Sequence, residues 1–300
     1  MDNTQKWINE FNNFKAIYTG QPKEDVLFHS CDLKALKGIC LHQYLFATDL
    51  IVFKDPNEGK LSLSKLDKLD LPFTDNQKGY LANHIRGDEL TEILKKFPVY
   101  VCCTSRQSNQ DFFFNGFHSN AIEKGADYQL EFKTNALCDH LWIETGCGRK
   151  RNDCLRFGNI IYDESEQQKI LREELSSFWN LISKDNAMPD EAKVDYLIRK
   201  CHLLGTFFKR PNSEARVSAD EKEFRIAVNT FSNDYVQGDI SGLLPQGDER
   251  HHIFLYFTDD FISKITAKDQ KTFDELLKDS VVGSFVKKHD IQVEIWSRGK

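Results

Sequence analysis

Pro98-Val99-Tyr100-Val101-Cys102-Cys103-Thr104 carries the clearest strand signal in the chain: a proline that resets the backbone, then an unbroken run of apolar and β-forming side chains. Before it, residues 77–97 read as helix and 61–73 as a polar stretch punctuated by leucines. After it, a polar loop at 105–111 leads to Phe112-Phe113-Phe114, and Tyr128-Gln129-Leu130-Glu131-Phe132 alternates as a half-buried strand does. Shorter strand signals lie at Val26-Leu27-Phe28-His29, Tyr44-Leu45-Phe46-Ala47-Thr48, Leu141-Trp142-Ile143 and Asn159-Ile160-Ile161-Tyr162, with a Gly/Arg-rich loop expected over 144–158. Three more are Glu223–Val228, His252–Phe257 and Ile291–Trp296.

Helical spacing is plain at 3–18, where Trp7, Ile8, Phe11, Phe14 and Ile17 fall at three- and four-residue steps. Asp32 is placed to cap a helix through Leu36 and Ile39. The stretch 164–208 reads as helical with one break near Ala187-Met188-Pro189, and short helices are expected at Thr258–Phe261 and Thr272–Leu277. Strands and helices alternate without a regular βαβ rhythm and no linker divides the chain. The expectation is one α+β domain over 1–300, a mixed, split β-sheet with flanking helices and a helical insertion at about 164–208.

Of 300 residues, 40% are hydrophobic and 29% charged, and mean hydropathy is −0.52, as in a water-soluble globular chain. Net charge is −6, which argues against a general nucleic-acid or anionic-membrane binder, since these rely on excess positive charge. No apolar run approaches the length of a membrane-spanning helix, and the N-terminus lacks a basic segment followed by an apolar one. The expected location is the cytoplasm, where the eight cysteines are reduced thiols, mostly buried. Cys138, His140, Cys147 and Cys154 come nearest to a metal cluster, but paired-knuckle spacing is missing and no metal is expected.

The standard phosphate-loop, dinucleotide, zincin and nucleophile-elbow motifs are absent. Gly146-Cys147-Gly148-Arg149-Lys150-Arg151 is a basic loop without phosphate-cradle spacing. What remains is dispersed. His29 ends an apolar strand beside Ser30. Phe114 and Phe117 flank Asn115-Gly116, rings of the kind that stack on planar heterocycles. In Glu221-Lys222-Glu223-Phe224-Arg225, strand alternation puts Glu221, Glu223 and Arg225 on one face and Phe224 and Ile226 in the core.

On these residues the chain resembles a bacterial and phage family called domain of unknown function 2971, over about residues 25–297. The matching blocks are Leu27-Phe28-His29-Ser30-Cys31 with Leu36-Lys37-Gly38-Ile39; Leu45-Phe46-Ala47-Thr48 with Phe53-Lys54-Asp55-Pro56-Asn57-Glu58; Val101-Cys102-Cys103-Thr104 with Phe114, Phe117 and Lys124-Gly125; Ile161-Tyr162; and Phe208-Lys209 with Glu221–Arg225. The last is the most specific. That family's layout is similar to ADP-ribosyltransferase-like proteins, which hold NAD in the cleft of a split mixed sheet.

The resemblance implies an NAD-cleaving glycosyltransferase that passes ADP-ribose to a macromolecule or to water, in the manner of a toxin or anti-phage effector. Carried over, His29 and Glu223 would be catalytic. His29, Ser30, Phe114 or Phe117, Arg225 and Glu221 would bind NAD, with Arg225 on a phosphate. A carboxylate on a ribose hydroxyl would stabilise oxocarbenium character. A protein acceptor is favoured over nucleic acid by the acidic balance. The alternative is a non-catalytic nucleotide- or protein-binding module on the same scaffold; a phosphodiester-processing enzyme lacks a metal cluster to support it. The carry-over expects His29, the aromatic ring and Glu223 to converge on one cleft, with both glutamates on an accessible face.

Overall fold

The computed structural model describes residues 6, 10–11, 25–53, 60–85, 87–95, 98–115, 126–135, 137, 141–145, 148–150, 155–209, 222–229, 252–257 and 261–297. In chain order these form β1 (Val26–Cys31), α1 (Leu33–His42), β2 (Tyr44–Asp49), a 3-10 helix (Leu63–Lys68), α2 (Asp75–His84), α3 (Gly87–Lys95), β3 (Val99–Ser105), α4 (Gln110–Asn115) and β4 (Tyr128–Lys133). There follow β5 (Ile143–Thr145), β6 (Gly148–Lys150), β7 (Leu155–Asn159), α5 (Glu164–Ile182), α6 (Asp190–Gly205), β8 (Glu223–Asn229), β9 (His252–Tyr256), β10 (Ile262–Ala267), α7 (Gln270–Lys278), α8 (Ser280–Lys288) and β11 (Gln292–Ile295).

The fold is α+β, with a mixed, open sheet. Its order is β11-β10-β4-β1-β3-β2-β9, with β8 on β3 and β7 on β8; β10 and β11 run parallel and the remaining pairs are antiparallel. A core lies on each face. On the first, Leu27, Tyr100, Leu130, Phe224 and Ile226 pack with α1, α7 and α8. On the second, Val99, Val101 and Ala227 pack with the 3-10 helix, α2, α3, α5 and α6.

Local signals act as elementary rules require. Asp32 caps α1, accepting from the Ala35 N–H at 2.8 Å, and Thr74 with Gln77 closes a capping box on α2. Lys6, Glu10 and Phe11 are helical within the expected N-terminal helix. The fully buried ammonium of Lys200 donates to the carbonyls of Glu10 (2.8 Å) and Phe11 (3.0 Å), while Phe11 meets Phe178 edge-on.

Two expectations need correction: residues 77–97 are two helices parted at Ile85, and β7 occupies part of the expected 144–158 loop, ending where a strand was expected to begin. β10 and α8 had no counterpart in the sequence reading, and the helix expected at Thr258–Phe261 lies, except for Phe261, outside the described residues. The break in the 164–208 helix falls as expected, at 183–189.

Close packing of α8 on α7 makes a testable demand. A Cβ built on Gly283 would stand 2.9 Å from the Leu277 carbonyl oxygen, a backbone atom that cannot swing aside. On exposed Gly79 in α2 it would meet nothing within 4 Å. Gly283→Ala is expected to lose about 1–3 kcal/mol through overpacking. Gly79→Ala should gain about 0.5–1 kcal/mol, because alanine loses less backbone entropy in a helix. Urea midpoints moving in opposite directions for the two variants check this; a shared direction overturns it.

Candidate functional site

The site begins with an irregularity in the sheet. β8 pairs with β3 along its whole length, from Val99↔Asn229 to Ser105↔Glu223, and so occupies one edge. The other edge is shared. β2 takes its start through Thr48↔Val101 and Asp49↔Tyr100, and β1 its end through Phe28↔Ser105. Both run antiparallel to β3, hence parallel to each other, joined by α1. Past Phe28, β1 follows β4; before Thr48, β2 follows β9. Two strands heading for the same stretch of edge therefore part, and a notch opens opposite Cys102–Thr104.

His29 stands in the notch. Its Nδ1 lies 3.1 Å from the Cys103 carbonyl oxygen, so Nδ1 carries the proton and donates, where a strand amide would donate in a continuous ladder. Burial lowers the His29 pKa and the bond to Cys103 opposes this only in part. The ring is thus neutral near pH 7, with Nε2 as an acceptor. A cavity of about 260 Å³ opens around it, lined by Gly38 and Ile39 of α1, Phe46 and Thr48 of β2, and Phe53. A Cβ on Gly38 would meet nothing within 4 Å, so this helix turn faces open space.

Glu223 is elsewhere. Alternation along β1 puts His29 on the first face with Leu27 and Cys31, stacked 6.4 Å from Phe132. Glu223, paired with Ser105 and through it aligned with Phe28, leaves by the second face. There it is 4% exposed, bound by Arg225 Nε at 2.6 Å and by Lys209 Nζ at 2.5 Å. Arg225 is fully buried; it also donates from Nη1 to the Thr206 carbonyl at 2.6 Å and lies 6.0 Å from the centre of the Phe53 ring. Burial pushes the Glu223 carboxyl up, but Arg225 and Lys209 outweigh it and hold the group well below the usual carboxylate range.

These positions correct the expected cleft. The accessible face assigned to Glu223 and Arg225 is an internal ion cluster, because Lys209, Thr206 and Phe53 close over it. His29 and Glu223 do not share a cavity, though both lie beside Cys103: its carbonyl accepts from His29, and Arg225, its partner on β8, binds the Glu223 carboxylate. Phe114 is fully buried with its ring 5.3 Å from Trp296 and does not line the His29 cavity. Ser30 faces away from His29, its hydroxyl 3.4 Å from Gln129 Nε2. Phe117 and Glu221 lie outside the described residues, as do Cys138, His140, Cys147 and Cys154.

Besides Phe132, which stacks on His29 from the core, the rings that line its cavity are Phe46 and Phe53. The sequence signal for them was the block Leu45-Phe46-Ala47-Thr48…Phe53, one of the stretches that carries the family resemblance. Among the described residues no three His, Cys, Asp or Glu side chains are grouped to hold a metal, and no helix is long and apolar enough to cross a membrane. No family model, curated protein or solved structure matches the chain, and the resemblance to domain of unknown function 2971 rests on the quoted motifs alone.

Proposed function

We propose that the chain is a nucleotide-binding protein of ADP-ribosyltransferase-like architecture, whose sheet notch takes the base end of an NAD-type dinucleotide. The observation that carries this reading is the notch itself, with neutral His29 bridging it to Cys103 and keeping Nε2 for a ligand. Its volume of about 260 Å³ suits one ring of nicotinamide size, with sugar and phosphates reaching out of the mouth. Phe46 and Phe53 offer ring faces for stacking, and Nε2 accepts from an amide or hydroxyl of the ligand.

A second reading, cleavage of NAD with transfer of ADP-ribose to a protein or to water, is favoured by one observation. Cys103, whose carbonyl accepts from His29 in the notch, pairs with Arg225, and Arg225 binds Glu223, so that carboxylate lies just behind the notch wall. The reading requires Glu223 to exchange Arg225 or Lys209 for a ribose hydroxyl.

Wild type is expected to bind NAD in a saturable titration by calorimetry. His29→Ala should weaken binding about tenfold, the loss of one hydrogen bond and its stacking surface. Gly38→Leu should abolish binding by filling the notch while leaving the melting profile cooperative. Failure of wild type to bind NAD, nicotinamide or ADP-ribose, or unchanged binding by Gly38→Leu, overturns the proposal. Free nicotinamide appearing during the titration selects the second reading over the first.

A further inference from the structure

A second, larger cavity lies away from the notch. It measures about 430 Å³ and opens between the 3-10 helix and the first turns of α5. Lys65, Lys68 and Arg172 line it, with Glu164 the only carboxylate among the described residues that do, in a chain whose net charge is −6. So much positive charge gathered in one concavity of an acidic protein favours an anion.

The centre of the cavity is built rather than incidental. The Lys65 side chain is 10% exposed, with Nζ 3.1 Å from Glu164 Oε1 and 3.2 Å from Gln167 Oε1. Gln167 is fully buried, and its amide N–H groups donate to the carbonyls of Ile161 (2.7 Å) and Lys209 (2.8 Å). That fixes the Gln167 oxygen toward Lys65 and holds the ammonium at the wall. An ammonium has three donors; Glu164 and Gln167 take two, and the third is left for a ligand. Lys68 and Arg172 stand at the exposed rim, where a point charge and a planar fork are together suited to a phosphate. Among the described residues no aromatic ring lines the cavity, so it lacks what would hold a base.

We propose that this cavity is a binding site for a small phosphate-bearing anion, of the pyrophosphate or sugar-phosphate class, seated on Lys65 and clasped by Lys68 and Arg172. The proposal is independent of the notch and its ligand.

The test is calorimetric titration of the full chain with inorganic pyrophosphate and with ribose 5-phosphate, and with sulfate at matched ionic strength. Saturable binding of at least one phosphate compound is expected, with sulfate at least tenfold weaker. The double variant Lys68→Ala/Arg172→Ala changes only exposed side chains and should melt as wild type does, yet bind at least tenfold more weakly. Gly38→Leu, which fills only the notch, should bind as wild type does. No saturable binding, equal binding of sulfate, or unchanged affinity in the double variant overturns the proposal. Loss of binding in Gly38→Leu would move the phosphate to the notch and overturn it as well.

Discussion

Glu223→Gln is expected to lose about 3 kcal/mol of stability, because it removes the carboxylate charge that the fully buried Arg225 guanidinium bonds through Nε at 2.6 Å. Lys209 is 20% exposed at its side chain and can turn to solvent; Arg225, fully buried, cannot. The effect therefore belongs to the Glu223–Arg225 pair, and a double-mutant cycle isolates it. Arg225→Met alone should also destabilise, by stranding the Glu223 carboxylate and the Thr206 carbonyl. Combined with Glu223→Gln it should cost clearly less than the sum of the two, since neither change then leaves an uncompensated charge. Urea unfolding of the four proteins at pH 7 measures this. A coupling below about 0.5 kcal/mol would show that the pair contributes little.

The same pair sets an acid limb. Glu223 titrates lower in the fold than in the unfolded chain, where a glutamate titrates near 4.3. Its stabilisation is thus complete above that value and is lost as pH falls below it toward the folded value. In Glu223→Gln this part of the pH profile should flatten. Any comparison of nicotinamide release between wild type and this variant must be made at equal folded concentration, since a fall in rate could otherwise reflect unfolding.

Alternation along 223–228 was enough to put Glu223 and Arg225 on one face with Phe224 and Ile226 on the other, and the register with β3 agrees. Whether that polar face meets water was not legible. An ion pair at the surface and one sealed inside have the same local pattern, and the sealing groups here come from 206–209 and Phe53. β10 was missed for a related reason. Lys264 and Ser263 make Ile262–Ala267 look polar, but Lys264 lies between Glu131 and Glu294 on the two flanking strands, and Ser263 donates to Glu131. Cross-strand partners remote in sequence, not the segment's own composition, stabilise it there. The notch was beyond sequence reasoning in its detail. His29 could be read as a strand-end histidine, but its neighbours Phe46 and Phe53 reach it only because β1 and β2 part along one edge of β3.

The largest pH effect is expected on the alkaline side, from the thiols. Cys31, Cys40, Cys102 and Cys201 are buried and Cys103 half-buried among the described residues. Burial pushes Cys40, Cys102 and Cys201 up to about 12, and Cys31 and Cys103 are raised as well. In the unfolded chain each thiol ionises near pH 8.5–9. The fold therefore holds protons that the unfolded state releases. The stabilisation is fully present below that value and is lost progressively as pH rises toward the folded values. Each thiol then accounts for about 1–2 kcal/mol by pH 10, and the five together for roughly 5 kcal/mol or more. Lys200 opposes them. Burial lowers its ammonium to about 8, so the cost of burying that charge is relieved between there and the ordinary lysine value, returning about 2 kcal/mol. Five thiols outweigh one lysine, and a net loss of roughly 3 kcal/mol or more is expected between pH 7 and pH 10, a large part of the ~5–15 kcal/mol that holds a domain folded. Urea midpoints in the presence of reductant at the two pH values measure it. Cys102→Ala, less stable at pH 7 for its lost packing, should nevertheless lose about 1–2 kcal/mol less than wild type over the same interval, because one titrating thiol is gone. Equal wild-type midpoints at pH 7 and pH 10 would mean that these thiols ionise in the fold as readily as in the open chain, against their burial in both cores of the sheet.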